Sequence, residues 1–109
     1  MYKLVITEPA GQDIAEAIHY IAKELQNPAA AKNLLADIDS AVDSLQENPK
    51  RYALVKDEYL ASKGLRFMPV HNYLVFYIVR ESERDDTKSV TIERILYSRR
   101  NWVSLLASP

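Results

Sequence analysis

Six residues in the second half of the chain have types and an order that could do chemistry: Arg66, His71, Arg94, Tyr97, Arg99 and Arg100. A guanidinium is permanently charged and presents a planar fork of donors that matches phosphate. Several arginines beside a tyrosine could grip an RNA backbone and stabilise the dianionic phosphorane formed when a phosphodiester is attacked. The same residues also fit a basic surface seam, partly neutralised by Glu81 and Glu93, because arginine is ordinary on exposed strands. Spacing alone leaves both readings open. Other chemistries are narrowed more sharply. There is no Cys to supply a nucleophile, a disulfide or a thiolate ligand. Two histidines, His19 and His71, make a zinc site improbable, and His19 reads as a surface or rim residue. With two glycines no phosphate-cradling loop can be built, so nucleotide-loop chemistry drops out and no metal or cofactor is expected.

Charge is nearly balanced over the 109 residues, 14 Lys+Arg against 15 Asp+Glu, so the chain as a whole is no magnet for nucleic acid. It is distributed unevenly. Residues 1–49 carry three basic and eight acidic side chains, whereas residues 50–109 carry eleven basic and seven acidic. That asymmetry suggests a basic working face built by the C-terminal half. The length suits one domain, 1–109, with a single modest core. No leader and no apolar run of the ~20 residues a membrane helix needs is visible, and the expectation is a soluble, cytoplasmic protein without a membrane partner.

The elements that must position these residues are organised around Asn72–Arg80. Seven apolar residues run from Tyr73 to Val79, greasy on both faces, which predicts a central strand covered on both sides. Before it, Tyr2–Thr7 alternates like a strand. Thr7 is placed to cap a helix over Glu8–Leu25 whose stripe is Ile14, Ile18, Ile21 and Leu25, with Asp13 off the stripe. Asn27 and Pro28 restart the pattern as a cap and a first helical position, and Ala31, Leu34/Leu35, Ile38, Ala41/Val42 and Leu45 stripe a second helix ending near Glu47. A connection this short makes an antiparallel hairpin. Residues 50–64 read as a loop with one helical turn. Leu65–Val70 is a strand that Pro69 forces to be bulged, short or at an edge. His71-Asn72 is a two-residue turn, with Asn tolerating positive φ. Glu81–Lys88 reads as a hairpin loop and Ser89–Leu96 as the last strand, bulged near Glu93-Arg94 where the apolar alternation slips. The tail from Trp102 to Leu106 predicts a turn of helix on the sheet. The fold class is α+β: a helical hairpin on one face of a small, mostly antiparallel sheet, in the order β-α-α-β-β-β plus a tail.

Four blocks together resemble the RelE/ParE toxin superfamily of bacterial type II toxin–antitoxin, or plasmid-stabilisation, systems. They are Thr7-Glu8-Pro9-Ala10 with Asp13-Ile14, Ile18 and Tyr20-Ile21; Leu45 with Asn48-Pro49; Gly64-Leu65-Arg66, Pro69-Val70 and Asn72–Tyr77; and Val90 with Ile92–Trp102. The likeness covers nearly the whole chain. It implies a small toxin neutralised by a cognate antitoxin. In the RelE branch such a toxin cuts mRNA on the ribosome without a metal, the 2′-hydroxyl attacking the adjacent phosphate. In the ParE branch it poisons DNA gyrase. Carried over by position, Arg66, Tyr97 and Arg100 are the implied catalytic residues if the chain is a nuclease, with Tyr97 as general acid or base. Arg94, Arg99 and Trp102 are the implied target-binding residues. The chain lacks the rich set of strand and loop lysines of the RelE branch and is not basic overall. Its long hairpin and Arg-Arg-Asn-Trp close resemble the ParE side. The resulting expectation is a ParE-like toxin acting by binding, with a RelE-like mRNA endoribonuclease as the alternative and an inactive antitoxin-binding module as the second.

Overall fold

A computed structural model describes residues 1–107; Ser108 and Pro109, the last two residues of the expected 1–109 domain, lie outside the described residues. Strand β1, Lys3–Ile6, leads into helix α1, Glu8–His19, which continues as a π-helical turn over Tyr20–Glu24. Helix α2 spans Pro28–Ser44, followed by a 3-10 turn at Pro49–Arg51 and the short helix α3, Glu58–Ser62. Strands β2 (Leu65–Val70), β3 (Tyr73–Ser82) and β4 (Thr87–Tyr97) then form a meander, and helix α4, Trp102–Ala107, closes the described chain.

Capping chemistry fixes both long helices. The Thr7 hydroxyl accepts from Ala10 N at 3.2 Å and donates to Glu93 O at 3.0 Å, so one side chain starts α1 and ties it to β4. Asn27 Oδ1 accepts from Ala30 N at 3.1 Å, with Pro28 at the first helical position of α2. At the other end of α2 the Arg51 guanidinium donates to Ser44 O, the last carbonyl of the helix, at 3.1 Å and to Asn48 O of the following turn at 2.9 Å.

The sheet order is β1-β4-β3-β2. The meander β2-β3-β4 is antiparallel, and β1 pairs parallel with β4 through Lys3–Ile6 and Ser89–Ile92. The β3–β4 register slips between Phe76 and Tyr77, because Glu93 is an extra residue between Ile92 and Arg94. This is the bulge expected from the broken alternation. One face of the sheet, carrying Tyr73, Val75, Tyr77 and Val79, packs with Met68, Val90, Ile92 and Ile95 against α1 and α2. The other face, carrying Leu74, Phe76 and Ile78, packs with Leu65, Phe67 and Leu96 against α3 and α4. The central strand is therefore covered on both sides. Strand β2 is at the edge, as Pro69 requires, and residues 53–55 shield it: Val55 N donates to Leu65 O at 3.0 Å and Phe67 N to Ala53 O at 3.3 Å.

Three sequence expectations are corrected. The first helix buries Ala10, Asp13 and Ala17, while Ile14, Ile18 and Ile21 pack at the margin of the core and Leu25 stands 56 % exposed. The small alanines let α1 lie close along β4, and the widened turn at Tyr20–Glu24 rotates Leu25 off the stripe. The strands also run further than expected: β3 reaches Ser82 and β4 starts at Thr87, shrinking the loop to a tight turn in which Asp86 takes φ 52°. In the β2–β3 turn the positive φ, 55°, falls on His71 and not on Asn72.

Candidate functional site

Arg94 follows the bulge, and the bulge decides where it goes. Strand β1 pairs with β4 only as far as Ile92, so beyond that point the outer edge of β4 needs other partners. Helix α1 supplies them. Asp13 accepts from Ile95 N at 2.9 Å and takes Arg94 bidentately, from Nε at 2.7 Å and Nη2 at 2.9 Å. The Asp13 side chain is 7 % exposed and that of Arg94 25 %. The carboxylate holds the Arg94 guanidinium above its ordinary pKa. Arg94 is thus occupied in joining α1 to the sheet.

Arg66 lies on the hairpin face of β2, opposite Tyr77 in the register. Its Nη1 donates to Tyr52 O at 2.7 Å and to Lys50 O at 3.4 Å. The phenol of Tyr77 beside it is fully buried and donates to Pro49 O at 2.5 Å. Burial pushes that phenol up to about 12 against the opposing pull of Arg66 and Arg51. Tyr97 pairs with Tyr73, four residues further along β3 and one strand beyond it. At ~3.3 Å per residue and ~4.8 Å per strand, the Arg66 and Tyr97 backbones stand roughly 16 Å apart. The structure therefore does not bring Arg66 together with Tyr97.

It does bring Tyr97 together with Arg100. Both line a cleft of roughly 840 Å³ where the hairpin and the end of the sheet diverge. Its sheet-side wall is the β2–β3 turn and the end of β4; its helical wall is the π-turn and the first turns of α2. Tyr97 stands edge-on to Tyr73, ring centroids 5.7 Å apart at 73°. The turn after β4 is pinned by Ser98 N to Asn72 O at 2.8 Å and Arg100 N to Tyr97 O at 3.0 Å. His71 lines the same cleft with its Nε2 paired to Asp37 of α2 at 2.5 Å. Among the described residues Arg99 and Arg100 have no carboxylate partner, and Arg99 is exposed.

Trp102 sits on the opposite face of the sheet. Its ring lies over Phe76, centroids 5.1 Å apart, and it is part of the second core cluster. Near it a smaller apolar groove of about 460 Å³ runs between the start of α1, helix α3 and α4, with Ile78 and Leu65 as its floor and Arg94 at its rim. Of the six residues that the resemblance implies as site residues, then, Tyr97 and Arg100 share the cleft with His71, with Arg99 beside them, whereas Arg66, Arg94 and Trp102 are each engaged elsewhere. Among the described residues no group of three or more His, Cys, Asp or Glu converges as a metal site, and no helix is long and apolar enough to cross a membrane.

Sequence reasoning missed Asp13, although Ala10, Asp13 and Ala17 are themselves spaced as a helical stripe. It also missed Tyr20 and Leu25 as cleft residues, because an ordinary helical pitch aims them elsewhere.

Comparison with known proteins bears on the whole chain. Residues 4–102 match the family model described as the ParE toxin of the type II toxin-antitoxin system, parDE. Among solved structures, a chain of the chromosomal ParDE TA system from P. aeruginosa superposes with a TM-score of 0.67 at 24 % identity, over 89 % of this chain and 96 % of that one. At that identity the likeness speaks for the fold. No curated protein matches the sequence.

Proposed function

The chain belongs to the ParE toxin family of type II toxin–antitoxin systems, and from that membership we propose that it arrests growth by binding DNA gyrase in the cytoplasm and is held inactive by a cognate antitoxin. The observation that supports binding over catalysis is the separation of the implied nuclease set. A metal-independent ribonuclease needs its general acid or base and its phosphate-stabilising cations within hydrogen-bond reach of one scissile phosphate. Arg66 is spent on the Tyr52 and Lys50 carbonyls, its backbone roughly 16 Å from that of Tyr97. Arg94 is spent on Asp13. That leaves Tyr97 with Arg99 and Arg100, a set suited to gripping a partner.

The test is to induce the chain in cells without its genetic neighbour and read mRNA ends and DNA damage together. The expected result is an SOS response with intact mRNA, relieved when the adjacent open reading frame is co-expressed. Cleavage within translated codons that vanishes in Arg100→Ala would establish the RelE-like alternative. Arrest that persists with the neighbouring product in excess would remove the antitoxin from the reading.

A further inference from the structure

The turn that carries Arg99 and Arg100 is held from two sides. On one side it closes on itself: Arg100 N donates to Tyr97 O at 3.0 Å and Trp102 N to Arg100 O at 2.8 Å, with the Trp102 ring over Phe76. On the other, Ser98 N donates to Asn72 O at 2.8 Å and ties it to the β2–β3 turn. That second turn is in its own right held by α2, because Nε2 of His71 meets Asp37 at 2.5 Å. A run of direct contacts therefore leads from Asp37 to His71, through Asn72 to Ser98, and on to Arg100. Among the described residues the contact between Asp37 and His71 is the polar bond that joins α2 to the β2–β3 turn.

Stability does not account for this arrangement. The His71 and Asp37 side chains are 51 % and 55 % exposed, and a polar pair in water contributes little to folding. His71 takes φ 55°, a strained conformation for a residue with a Cβ, although Asn72 beside it is the better suited of the two. Such strain persists where surrounding contacts over-determine it, and it gathers where geometry is put to use. The use here lies at Arg100. Its side chain lines the cleft and has no carboxylate partner among the described residues, so the backbone that carries it sets where the guanidinium stands. Charged hydrogen bonds are directional, and a donor fixed in advance loses less freedom on binding.

We propose that His71 and Asp37 are positioning residues for Arg100: they brace the two turns against α2 and so fix the arginine at the cleft. This rests on the reading above that Tyr97, Arg99 and Arg100 grip the target.

The experiment follows single amides by hydrogen exchange in the full chain alone and, in parallel, inhibition of purified gyrase. Asp37→Ala and His71→Gly each remove the contact at exposed positions, and glycine accepts φ 55° without strain, so both should keep the parent melting temperature. In both, the Ser98 and Arg100 amides should exchange about tenfold faster or more, while amides in the middle of β3 keep their parent rates. Inhibition should weaken about three- to tenfold. Asp37→Asn keeps an oxygen for the ring N–H and should stay near the parent in both measurements. In an Arg100→Ala background Asp37→Ala should add nothing, because it acts through that arginine. Ser98 and Arg100 amides that keep parent protection in both variants would overturn the proposal. So would an Asp37→Ala loss that adds in full to that of Arg100→Ala. A parent chain that leaves gyrase unaffected would bring down the gyrase reading, and with it the role in target binding, whereas the amides, read on the chain alone, decide the bracing by themselves.

Discussion

A buried carboxylate is costly unless its lone pairs are used, and Asp13 uses them on one guanidinium and one backbone N–H. Removing it leaves the Ile95 amide without its acceptor and Arg94 without its counter-ion, so Asp13→Ala should lose about 3 kcal/mol in urea unfolding. The pair Asp13→Leu with Arg94→Met should lose less than either single change, because neither charge is then left alone. A double variant whose loss equals the sum of the two single losses would show that Asp13 and Arg94 are not energetically coupled. Tyr77 supplies a second prediction. Its phenol is raised from 10.0 to about 12 in the folded chain, so the unfolded chain ionises first. The stability that this group contributes is fully present below pH 10, then falls as pH rises from about 10 toward 12, by on the order of 2 kcal/mol. Tyr2 and Tyr73 are shifted the same way, so the informative quantity is the difference between the parent and Tyr77→Phe across that window. The variant should start about 1 kcal/mol lower, for the lost bond to Pro49, and fall less steeply. At this scale the sequence was half legible. The slip from Ile92 to Ile95 exposed the bulge, but nothing local to Arg94 names a carboxylate 81 positions away.

Elements were more legible than partners. Of the second stripe, Ala31, Leu34, Ile38, Val42 and Leu45 are buried, since α2 keeps a regular pitch from a capped start, whereas Leu35 is exposed and Ala41 half-buried at its margins. The stripe of the first helix was legible only to Ile21, because a π-turn changes the angle per residue and period arguments fail beyond it. The two helices therefore predict different outcomes for the same kind of change. Ile38, 0 % exposed, should cost about 2–5 kcal/mol when replaced by Ala, whereas Leu25→Ala should shift the urea midpoint hardly at all. A large loss at Leu25 would mean that the π-turn packs inward in solution. Tertiary closure also explains why the β2–β3 turn put its positive φ on His71. The ring is drawn across to Asp37 of α2 and the following Asn72 carbonyl accepts from Ser98, so contacts outside the turn outweigh its intrinsic preference.

Over the whole molecule the charge asymmetry takes a spatial form. The acidic side chains Asp37, Asp39 and Asp43 lie on the exposed side of α2, while Arg99 and Arg100 sit together at the cleft end of the sheet. With a formal net charge of −1, the chain has little long-range attraction for a ribosome or for bulk RNA. Two or three phosphate contacts would give a salt slope of about −1.8 to −2.7, so raising salt from about 50 to about 200 mM should weaken any nucleic-acid binding only about 10- to 40-fold. A toxin engaging RNA through six to ten phosphates would lose about 10³–10⁵ over the same range. Growth arrest by a binding mechanism implies the first behaviour, together with inhibition of purified gyrase that survives physiological salt. It also implies that Tyr97→Phe, which keeps the ring and its edge-on contact with Tyr73, is nearly silent in the gyrase assay. If Tyr97→Phe abolishes activity about 10²-fold or more while affinity is unchanged, a proton is being moved. The steep salt slope should then appear with it, because a nuclease working on Arg99 and Arg100 would need further phosphate contacts to hold its substrate.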